Sequence, residues 1–443
     1  MSEGLFTPIF VPAPLRDAVS DRAWLQGMLD AEAALARAEA RAGVIPAEAA
    51  EAIAACCDAD RFEIAALAEG ARRLGAPVEP LVRALAVAAG DAGRYVHWGA
   101  TSQDILDTAA MLVSRSALDL ILAELDAVAA ACAGLAETHR STPIAGRTLL
   151  QQALPTTFGL KSAGWLVAVL DVRGRLGAVR NERLAVQLGG GAGTLAALGT
   201  QGPAVLALFA EELGLAEPAL PWHANRVRVA ELGTALDLTA GALSKLALDV
   251  VLLSQTEVGE VAEAGAGGSS TMPQKRNPTG SVIAIACARR VHAQAGLLAG
   301  GLAQEHERAA GGWHAEWQPL SDALALTGGA AAAVREVVES LEVRPDRMRA
   351  NLDATKGLIM AERITFLLSG RIGRAEAHGL VSEACARAVA AGRPLRDELE
   401  SDPRIELAPA ELDAAFDPTG YLGSAETFVD RALALYRQRG GTR

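Results

Sequence analysis

The sequence predicts an all-α fold built from long helices, and three observations lead to this prediction. Apolar residues make up 51% of the chain and aromatic residues only 4%, so Ala, Leu and Val supply most of the apolar mass. Three stretches, 81–142, 156–202 and 222–272, contain no proline, which would interrupt a helix. The chain also has no clear alternation of apolar and polar residues, the pattern typical of strands.

The first 104 residues predict short helices followed by a loop. Apolar side chains recur at helical spacing in Asp21–Arg41, and Gly43 lies just past the end as a stop signal. Similar patterns predict helices at about Pro46–Cys57, Asp60–Leu74 and Val78–Ala89. The polar, glycine-interrupted stretch DAGRYVHWGATSQD that follows is typical of a loop.

The middle of the chain predicts a series of long helices. In the first, apolar side chains alternate at steps of four and three residues from Ile121 to Cys132, which is the pattern of a bundle seam. The predicted helices are about Ile105–Arg140, Thr157–Leu188, Val229–Glu263, Thr279–Ala303 and Leu320–Leu341. At 1.5 Å per residue the longer ones reach roughly 50 Å. One chain cannot easily bury such helices on all sides, so the pattern predicts an oligomer that shares a central bundle.

Changes in this texture divide the chain into three predicted helical domains. Pro345 breaks the long-helix pattern, and shorter helical segments separated by prolines follow it. We therefore predict an N-terminal helical domain at 1–104, a central long-helix bundle at 105–345 and a small C-terminal helical domain at 346–443.

Charge and cysteine usage exclude several classes of protein. A net charge of −12 argues against a nucleic-acid partner and requires a local basic cluster for any anionic substrate. The five cysteines form no CxxC pattern, which predicts neither a disulfide framework nor a zinc site and fits a reducing cytoplasm. The chain shows no signal-peptide pattern and no apolar run near 18 residues, so we expect a cytoplasmic protein without a membrane partner.

Polar side chains concentrate in two stretches that could carry chemistry. GSSTMPQKRNP (Gly268–Pro278) places hydroxyls, cations and an amide in a flexible segment between predicted helices, where a mobile catalytic loop would lie. HWGATSQD (His97–Asp104) lies at the start of a long helix. Thr101 or Ser102 could cap that helix, and its free N–H groups suit a carboxylate.

Three further patterns are less specific. GRTLLQQALPTTFG (146–159) opens the second long helix, with Thr156 or Thr157 as the candidate N-cap. LGGGAGTLA (188–196) contains GxGxxA, but a helical pattern precedes it where a dinucleotide site needs a strand, so it predicts at most an anion-binding loop. The His and Glu residues of 304–317 match no metal-ligand spacing, so no metal is predicted.

Together these stretches resemble the three sequence regions of the fumarase/aspartase superfamily, in the same order and over most of the chain. Within it, HWGATSQD, QEHERAAGGWHAEW (304–317) and LQGMLDAEAALARAEARAGVIP (25–46) are most similar to bacterial 3-carboxy-cis,cis-muconate cycloisomerases, with adenylosuccinate lyases as nearest neighbours. The resemblance implies a homotetramer with a shared helical bundle, active sites where loops of three subunits meet, a small polycarboxylate substrate and no cofactor.

The resemblance also implies roles for individual residues. Ser269 would transfer the proton, with Ser270 as the less favoured rival, and Lys275 and Asn277 would bind a substrate carboxylate. A serine hydroxyl is a poor base unless nearby donors and positive charge lower its pKa, and Lys275 could supply that charge. The residues implied to line the pocket or to contact further carboxylates are His97, Thr101, Ser102, Leu149, Gln151, Arg226 and Arg308.

One position separates the activities within the superfamily. Lyases that release a protonated leaving group carry RTHxQ where this chain has RTLLQ (147–151), and Leu149 cannot exchange a proton. The expected reaction is therefore closure of 3-carboxy-cis,cis-muconate to 4-carboxymuconolactone, in the protocatechuate branch of the β-ketoadipate pathway. The alternatives are a fumarate-releasing lyase of the adenylosuccinate type, a cycloisomerase of a sulfonated muconate, and a non-enzymatic structural homologue.

Overall fold

The computed structural model describes residues 4–264, 267, 268, 272 and 274–440. In these residues the α-helices are α1 (Thr7–Phe10), α2 (Ala13–Ala18), α3 (Asp21–Arg41), α4 (Ala47–Ala54), α5 (Ile64–Leu74), α6 (Val78–Ala88), α7 (Ser102–Thr138), α8 (Phe158–Glu182), α9 (Gly202–Leu213), α10 (Val227–Ser254), α11 (Thr279–Gly300), α12 (Trp317–Glu339), α13 (Pro345–Asp353), α14 (Ala361–Ile372), α15 (Arg374–Ala391), α16 (Leu395–Glu400), α17 (Pro409–Phe416) and α18 (Ala425–Gln438). The short strands β1 (Pro143–Thr148), β2 (Gln151–Thr157), β3 (Val261–Glu263), β4 (Gly267–Gly268), β5 (Arg276–Asn277) and β6 (Leu341–Val343) pair antiparallel as β1–β2, β3–β6 and β4–β5.

The predicted all-α class is confirmed. Helix α3 has the predicted bounds, and the long helices α7, α8, α10, α11 and α12 begin close to the predicted residues. Helix α8 ends earlier than predicted, at Glu182, and α10 ends at Ser254. In each case the chain goes on into a segment in which a glycine, Gly190 or Gly259, takes a positive φ that helical backbone does not allow.

The segment before α8 differs from the prediction. It forms the hairpin β1–β2, where the sequence predicts no strand, with Thr148 and Gln151 paired next to the tip and a bulge between Ala145 and Arg147. After the hairpin, the Thr157 hydroxyl accepts a hydrogen bond from the backbone N–H of Leu160 at 3.0 Å. Thr157 is therefore the N-terminal cap of α8, as the sequence predicts.

The chain divides into two compact units. Unit 1 comprises Met1–Leu125, Asp171–Lys245 and Ile283–Val334, and its core surrounds α3, with fully buried Leu29, Ile53, Leu81 and Phe209 among its residues. Unit 2 comprises Asp126–Leu170, Leu246–Val282 and Arg335–Arg443, and its core includes Ile364, Leu368, Leu395 and Leu399. The three-domain division at residues 104 and 345 stays a prediction.

By length and composition alone, α11 (Thr279–Gly300) is apolar enough to cross a membrane. It carries Arg289 and Arg290 near its middle, and the core helix of a helical bundle meets the same criteria. The expectation that the protein has no membrane partner therefore stays a prediction.

Candidate active site

The carboxylate of Asp104, in the first turn of α7, joins the loops around the predicted pocket in unit 1. It is fully buried and accepts backbone N–H groups of Thr101 at 3.0 Å and of Gly189 and Gly190 at 2.9 Å. Its Oδ1 atom also lies 2.6 Å from Nε2 of His223. Neither Asp104 nor His223 is among the site residues that the sequence predicts. The available signal was the acidic residue three positions after Thr101, the spacing of a capping box.

The loop LGGGAGTLA (188–196) needs glycine at two positions because other groups approach its backbone closely. A Cβ at Gly189 would lie 2.7 Å from Cε1 of His223, and a Cβ at Gly190 would lie 2.9 Å from the carbonyl oxygen of Gly99. Gly190 also has a φ of +66°, which favours glycine. The glycines therefore let this loop pack against the start of α7, and they do not form a dinucleotide fingerprint.

The structure brings together two predicted site residues, Thr101 and Arg308. The Arg308 guanidinium donates to Oγ1 of Thr101 at 3.0 Å and to the carbonyl oxygens of Gly191 at 3.2 Å and Gly190 at 3.4 Å. In the described part of the chain, no acidic side chain pairs with Arg308. Its positive charge is therefore available to a negatively charged ligand.

His97 is held by a buried carboxylate. Its Nδ1 atom lies 2.6 Å from Oε1 of Glu32, whose side chain is only 1% exposed. Burial alone would lower the pKa of His97, but the carboxylate of Glu32, assisted by Asp104, outweighs burial and raises this pKa above its ordinary value. Ser102, the other predicted residue of this stretch, is half-buried as the first residue of α7.

Arg226 has a different environment from the one predicted. It is 2% exposed, and its guanidinium donates to Asp107 at 2.7 and 3.0 Å and to Glu316 at 2.5 and 3.1 Å. The guanidinium also lies over the ring of Trp222. Since two carboxylates already match its charge, the geometry favours a structural role for Arg226 over the predicted contact with a substrate carboxylate.

In unit 2, buried polar groups anchor the β1–β2 hairpin. Arg147 makes two hydrogen bonds of 2.8 Å to the carboxylate of Glu260, which is fully buried. The amide of Asn351 donates to the same carboxylate at 2.8 Å, and Gln152 donates to the backbone carbonyl of Asn351 at 3.1 Å. The base of the hairpin is therefore fixed, although sequence analysis did not select Glu260 or Asn351.

The predicted residues Leu149 and Gln151 lie at the tip of this hairpin and are exposed in the single chain. The tip consists of Leu149, 96% exposed with a φ of +50°, and Leu150, 76% exposed with a φ of +65°. Two consecutive leucines in the left-handed region are unusual, because bulky side chains disfavour positive φ. The strained backbone therefore includes Leu149, which carries a predicted role, and lies directly before Gln151, which carries another.

The stretch GSSTMPQKRNP, called the signature stretch from here on, has a short ladder at its ends, with Gly267 opposite Asn277 and Gly268 opposite Arg276. Arg276 anchors the ladder by donating to the carboxylate of Glu342 at 2.8 Å. The predicted ligands Lys275 and Asn277 are exposed and half-buried respectively. The predicted catalytic residues Ser269 and Ser270 lie outside the described residues.

Within the described part of the sequence, no group of three or more His, Cys, Asp or Glu side chains is arranged to hold a metal ion. The absence of a metal and of a cofactor stays a prediction.

Comparison with protein families gives two matches. Residues 11–293 match a family described as Lyase, and residues 357–432 match one described as Adenylosuccinate lyase C-terminus. The first match alone includes more than half of the chain.

Individual relatives match over almost their whole length. A 3-carboxy-cis,cis-muconate cycloisomerase from Pseudomonas aeruginosa is 50% identical, covering 98% of this chain and 97% of the relative. A nitrosuccinate lyase from Streptomyces davaonensis is 46% identical, covering 98% and 95%. The crystal structure of 3-carboxy-cis,cis-muconate lactonizing enzyme from Pseudomonas putida is 45% identical with a TM-score of 0.94, covering 98% of this chain and 99% of the other. The chain therefore belongs to the fumarase/aspartase superfamily of lyases.

Proposed function

We propose that this protein closes 3-carboxy-cis,cis-muconate to 4-carboxymuconolactone. Relatives with this named activity match the chain from end to end, at 50% identity in one case. The cation of Arg308 lies beside Thr101 and pairs with no acidic side chain among the described residues, which supports a substrate with several carboxylates. Within the superfamily, the residue at position 149 indicates the type of leaving group, and here it is Leu149.

Leu149 matters because of what must leave when the reaction runs toward ring opening. The group expelled from the β-carbon of the lactone is a carboxylate, whose conjugate acid has a pKa near 4. It departs as an anion at neutral pH, whereas an amine must first be protonated by a general acid. The apolar side chain at position 149 is compatible with a carboxylate leaving group and supplies no acid for an amine.

In the closing direction, one substrate carboxylate forms a C–O bond to the β-carbon of the double bond. The π electrons move toward the α-carbon and its carboxylate, giving an aci-carboxylate. A proton from Ser269 then forms the new C–H bond at the α-carbon, and the serine oxygen, left as an alkoxide, takes a proton back from water before the next turnover. Lys275, Asn277 and Arg308 are the proposed carboxylate ligands, in an active site where loops of different copies of the chain meet, and Lys275 lowers the pKa of the serine.

The same logic separates the alternatives. An adenylosuccinate-type lyase is not favoured, because its amine leaving group needs the acid that Leu149 cannot supply. A sulfonated muconate remains compatible with the site, since a sulfonate is also an anion. The identity of 46% to a nitrosuccinate lyase adds nitrosuccinate as a second substrate to test.

A substrate panel tests the proposal directly. We expect the unmodified protein to remove the absorbance of 3-carboxy-cis,cis-muconate with a chelator present, and to release no fumarate from adenylosuccinate. Leu149→Ala is expected to raise KM. Its pH–rate profile should show the same ionisations as that of the unmodified protein. Efficient cleavage of adenylosuccinate, or fumarate release from nitrosuccinate with no lactone formed from muconate, would overturn the proposal.

We also propose that the protein is a cytoplasmic homotetramer. Neither nucleic acid nor a membrane is among its proposed partners.

A further inference from the structure

Helix α3 carries two glutamates that the proposed reaction does not use. Glu32 and Glu39 are seven residues apart, which places them on the same side of the helix, and each is 1% exposed. Glu32 contacts His97, 65 residues further along the chain, through the 2.6 Å contact with Nδ1. Two carboxyls therefore lie in the interior of unit 1, and that of Glu32 contacts the first residue of the HWGATSQD stretch.

Glu39 is uncharged at physiological pH. Neither of its carboxyl oxygens has a hydrogen-bond partner in the described residues. Burial, followed by the neighbouring Glu32, raises the pKa of Glu39 to about 9. A neutral carboxylic acid avoids the large cost of a buried charge that nothing compensates.

Among the residues that the structure describes, His97 is the one hydrogen-bond partner of the Glu32 side chain. The second oxygen of Glu32, Oε2, is buried without a partner, and the nearby Cys57 thiol is kept neutral because burial, aided by Glu32, raises its pKa to about 12. Asp104 is the other carboxylate that acts on His97, and it too favours the charged ring. With Glu39 neutral, an imidazolium at 97 and a carboxylate at 32 form a buried pair with no net charge.

The ring of His97 has one nitrogen left for a ligand. Nδ1 is engaged by Glu32, while Nε2 has no hydrogen-bond partner among the residues that the structure describes. The His97 side chain is 17% exposed, so this nitrogen is not sealed in the core. When protonated, the ring offers Nε2–H as a charged donor, which makes short and strong hydrogen bonds to carboxylates.

We propose that Glu32 is a positioning residue that keeps His97 protonated and directs its Nε2–H toward a carboxylate of the substrate. Glu39 supports this arrangement by staying neutral, so that it adds no second negative charge near Glu32. The substrate half of this inference rests on the proposed function, whereas the Glu32–His97 half does not.

The charge of His97 can be measured without any assay of activity. Deuterium exchange at the imidazole C2 position, followed by mass spectrometry of the peptide that contains His97, reports the pKa of that ring at any protein size. In the unmodified protein we expect a value above 6.5. Glu32→Gln should lower it by about one unit or more, because an opposite charge at this distance is removed.

Glu39→Gln is the matched control. It replaces a neutral acid by a neutral amide of the same shape on the same helix, so the pKa of His97 should stay unchanged within a few tenths of a unit. An unchanged pKa in Glu32→Gln, in protein whose circular dichroism and mass match the unmodified form, would overturn the inference. So would an equal fall in both variants, which would indicate a general loss of packing.

Kinetics test the substrate half. With 3-carboxy-cis,cis-muconate, KM should rise as pH increases through the pKa of His97, and in Glu32→Gln this rise should begin at lower pH by the same shift that exchange reports. At pH below both values the KM of the variant should return toward normal, while kcat changes less than KM. If the pH dependence of KM does not shift with the pKa of His97, the proposed contact between His97 and the substrate is wrong. If the unmodified protein does not turn over 3-carboxy-cis,cis-muconate, the proposed function is wrong. The deuterium-exchange measurement still decides whether Glu32 keeps His97 protonated.

Discussion

Arg308 and Arg226 have the same side chain, and their neighbours give them different uses. Arg226 is buried between Asp107 and Glu316, so its charge is matched by two carboxylates inside unit 1. Arg308 makes hydrogen bonds only to a hydroxyl and to backbone carbonyls, which leaves its charge uncompensated by the described residues. Recognition of a polycarboxylate is therefore expected from Arg308, a distinction that the sequence pattern alone did not make.

Ser269 is predicted to move the proton, and its substitution gives the most direct residue-level prediction. Ser269→Ala should lower kcat by about 10²–10⁴, the usual contribution of a positioned proton-transfer group. Ser270→Ala is the matched control and should cost less, with both variants showing the helical circular dichroism of the unmodified protein. Near-normal turnover of Ser269→Ala would assign the proton transfer to another residue.

Glu39 predicts how stability depends on pH. Its pKa is about 9 in the folded protein against 4.5 for the free side chain, so between these values the folded state holds a proton that the unfolded state has released. Stability from this group therefore falls as pH rises through that window, by about 1.4 kcal/mol per pH unit. Glu39→Gln removes this loss, and its urea midpoint should exceed that of unmodified protein at pH 8 by more than at pH 5.5.

Glu48, on the exposed face of α4, provides the control for this measurement. Glu48→Gln should leave the pH dependence of the urea midpoint unchanged. Parallel pH dependences for Glu39→Gln and unmodified protein would mean that Glu39 is ionised in the folded state.

At the scale of elements, the β1–β2 hairpin is fixed at its base and strained at its tip. Arg147, 23% exposed, and the fully buried Glu260 form an ion pair at the base, and leaving a buried carboxylate without its partner typically costs about 3–5 kcal/mol. A two-residue turn with both φ values positive is the type I′ hairpin turn, in which Asn-Gly is preferred. This chain has Leu149 and Leu150 there instead.

Leu150→Gly should therefore stabilise the protein. A left-handed conformation costs a residue with a side chain about 1–2 kcal/mol, while glycine adds about 0.5–1 kcal/mol of entropy to the unfolded chain, so a gain of up to about 1.5 kcal/mol is expected. Thermal unfolding measures it, with Leu154→Gly in β2 as a control that should destabilise, since Leu154 has no positive φ. A loss of stability in Leu150→Gly would indicate that this leucine is held by contacts outside the single chain.

At the scale of the whole molecule, the long helices retain exposed apolar side chains. Val282 and Leu297 on α11 are 53% and 56% exposed, and Leu238 and Leu248 on α10 are 54% and 48% exposed. Helices with apolar side chains outside the core of one chain are typical of an interface. They support the proposal that the bundle is completed by further copies of the chain.

Light scattering at micromolar concentration should accordingly give a mass of about four times 45.7 kDa. Leu297→Glu and Val282→Glu, which place a charge in the expected interface, should shift the protein toward smaller species. The exposed control Glu48→Gln should leave the mass unchanged. A monomeric mass for the unmodified protein would contradict both the tetramer and the shared bundle.

The sequence by itself determined the helical class and most helix positions. Helical periodicity, proline-free stretches and capping residues such as Thr157 act over a few residues, so they can be identified in a linear string. The signature stretch likewise identified the superfamily, because its residue types are contiguous. The same local signals also explain the missed hairpin, since β1 and β2 lack alternation and the tip lacks Asn-Gly.

Only the tertiary structure decided which charged residues are partners. Glu32 meets His97, Asp104 meets His223 and Glu260 meets Arg147 across separations of 65, 119 and 113 residues, and no spacing rule links them. Whether a cation such as Arg308 is available to substrate or consumed by the core, as Arg226 is, depends on these distant contacts. The physical reason is that pKa and hydrogen bonding are set by burial and by neighbours in space, which the order of residues does not specify.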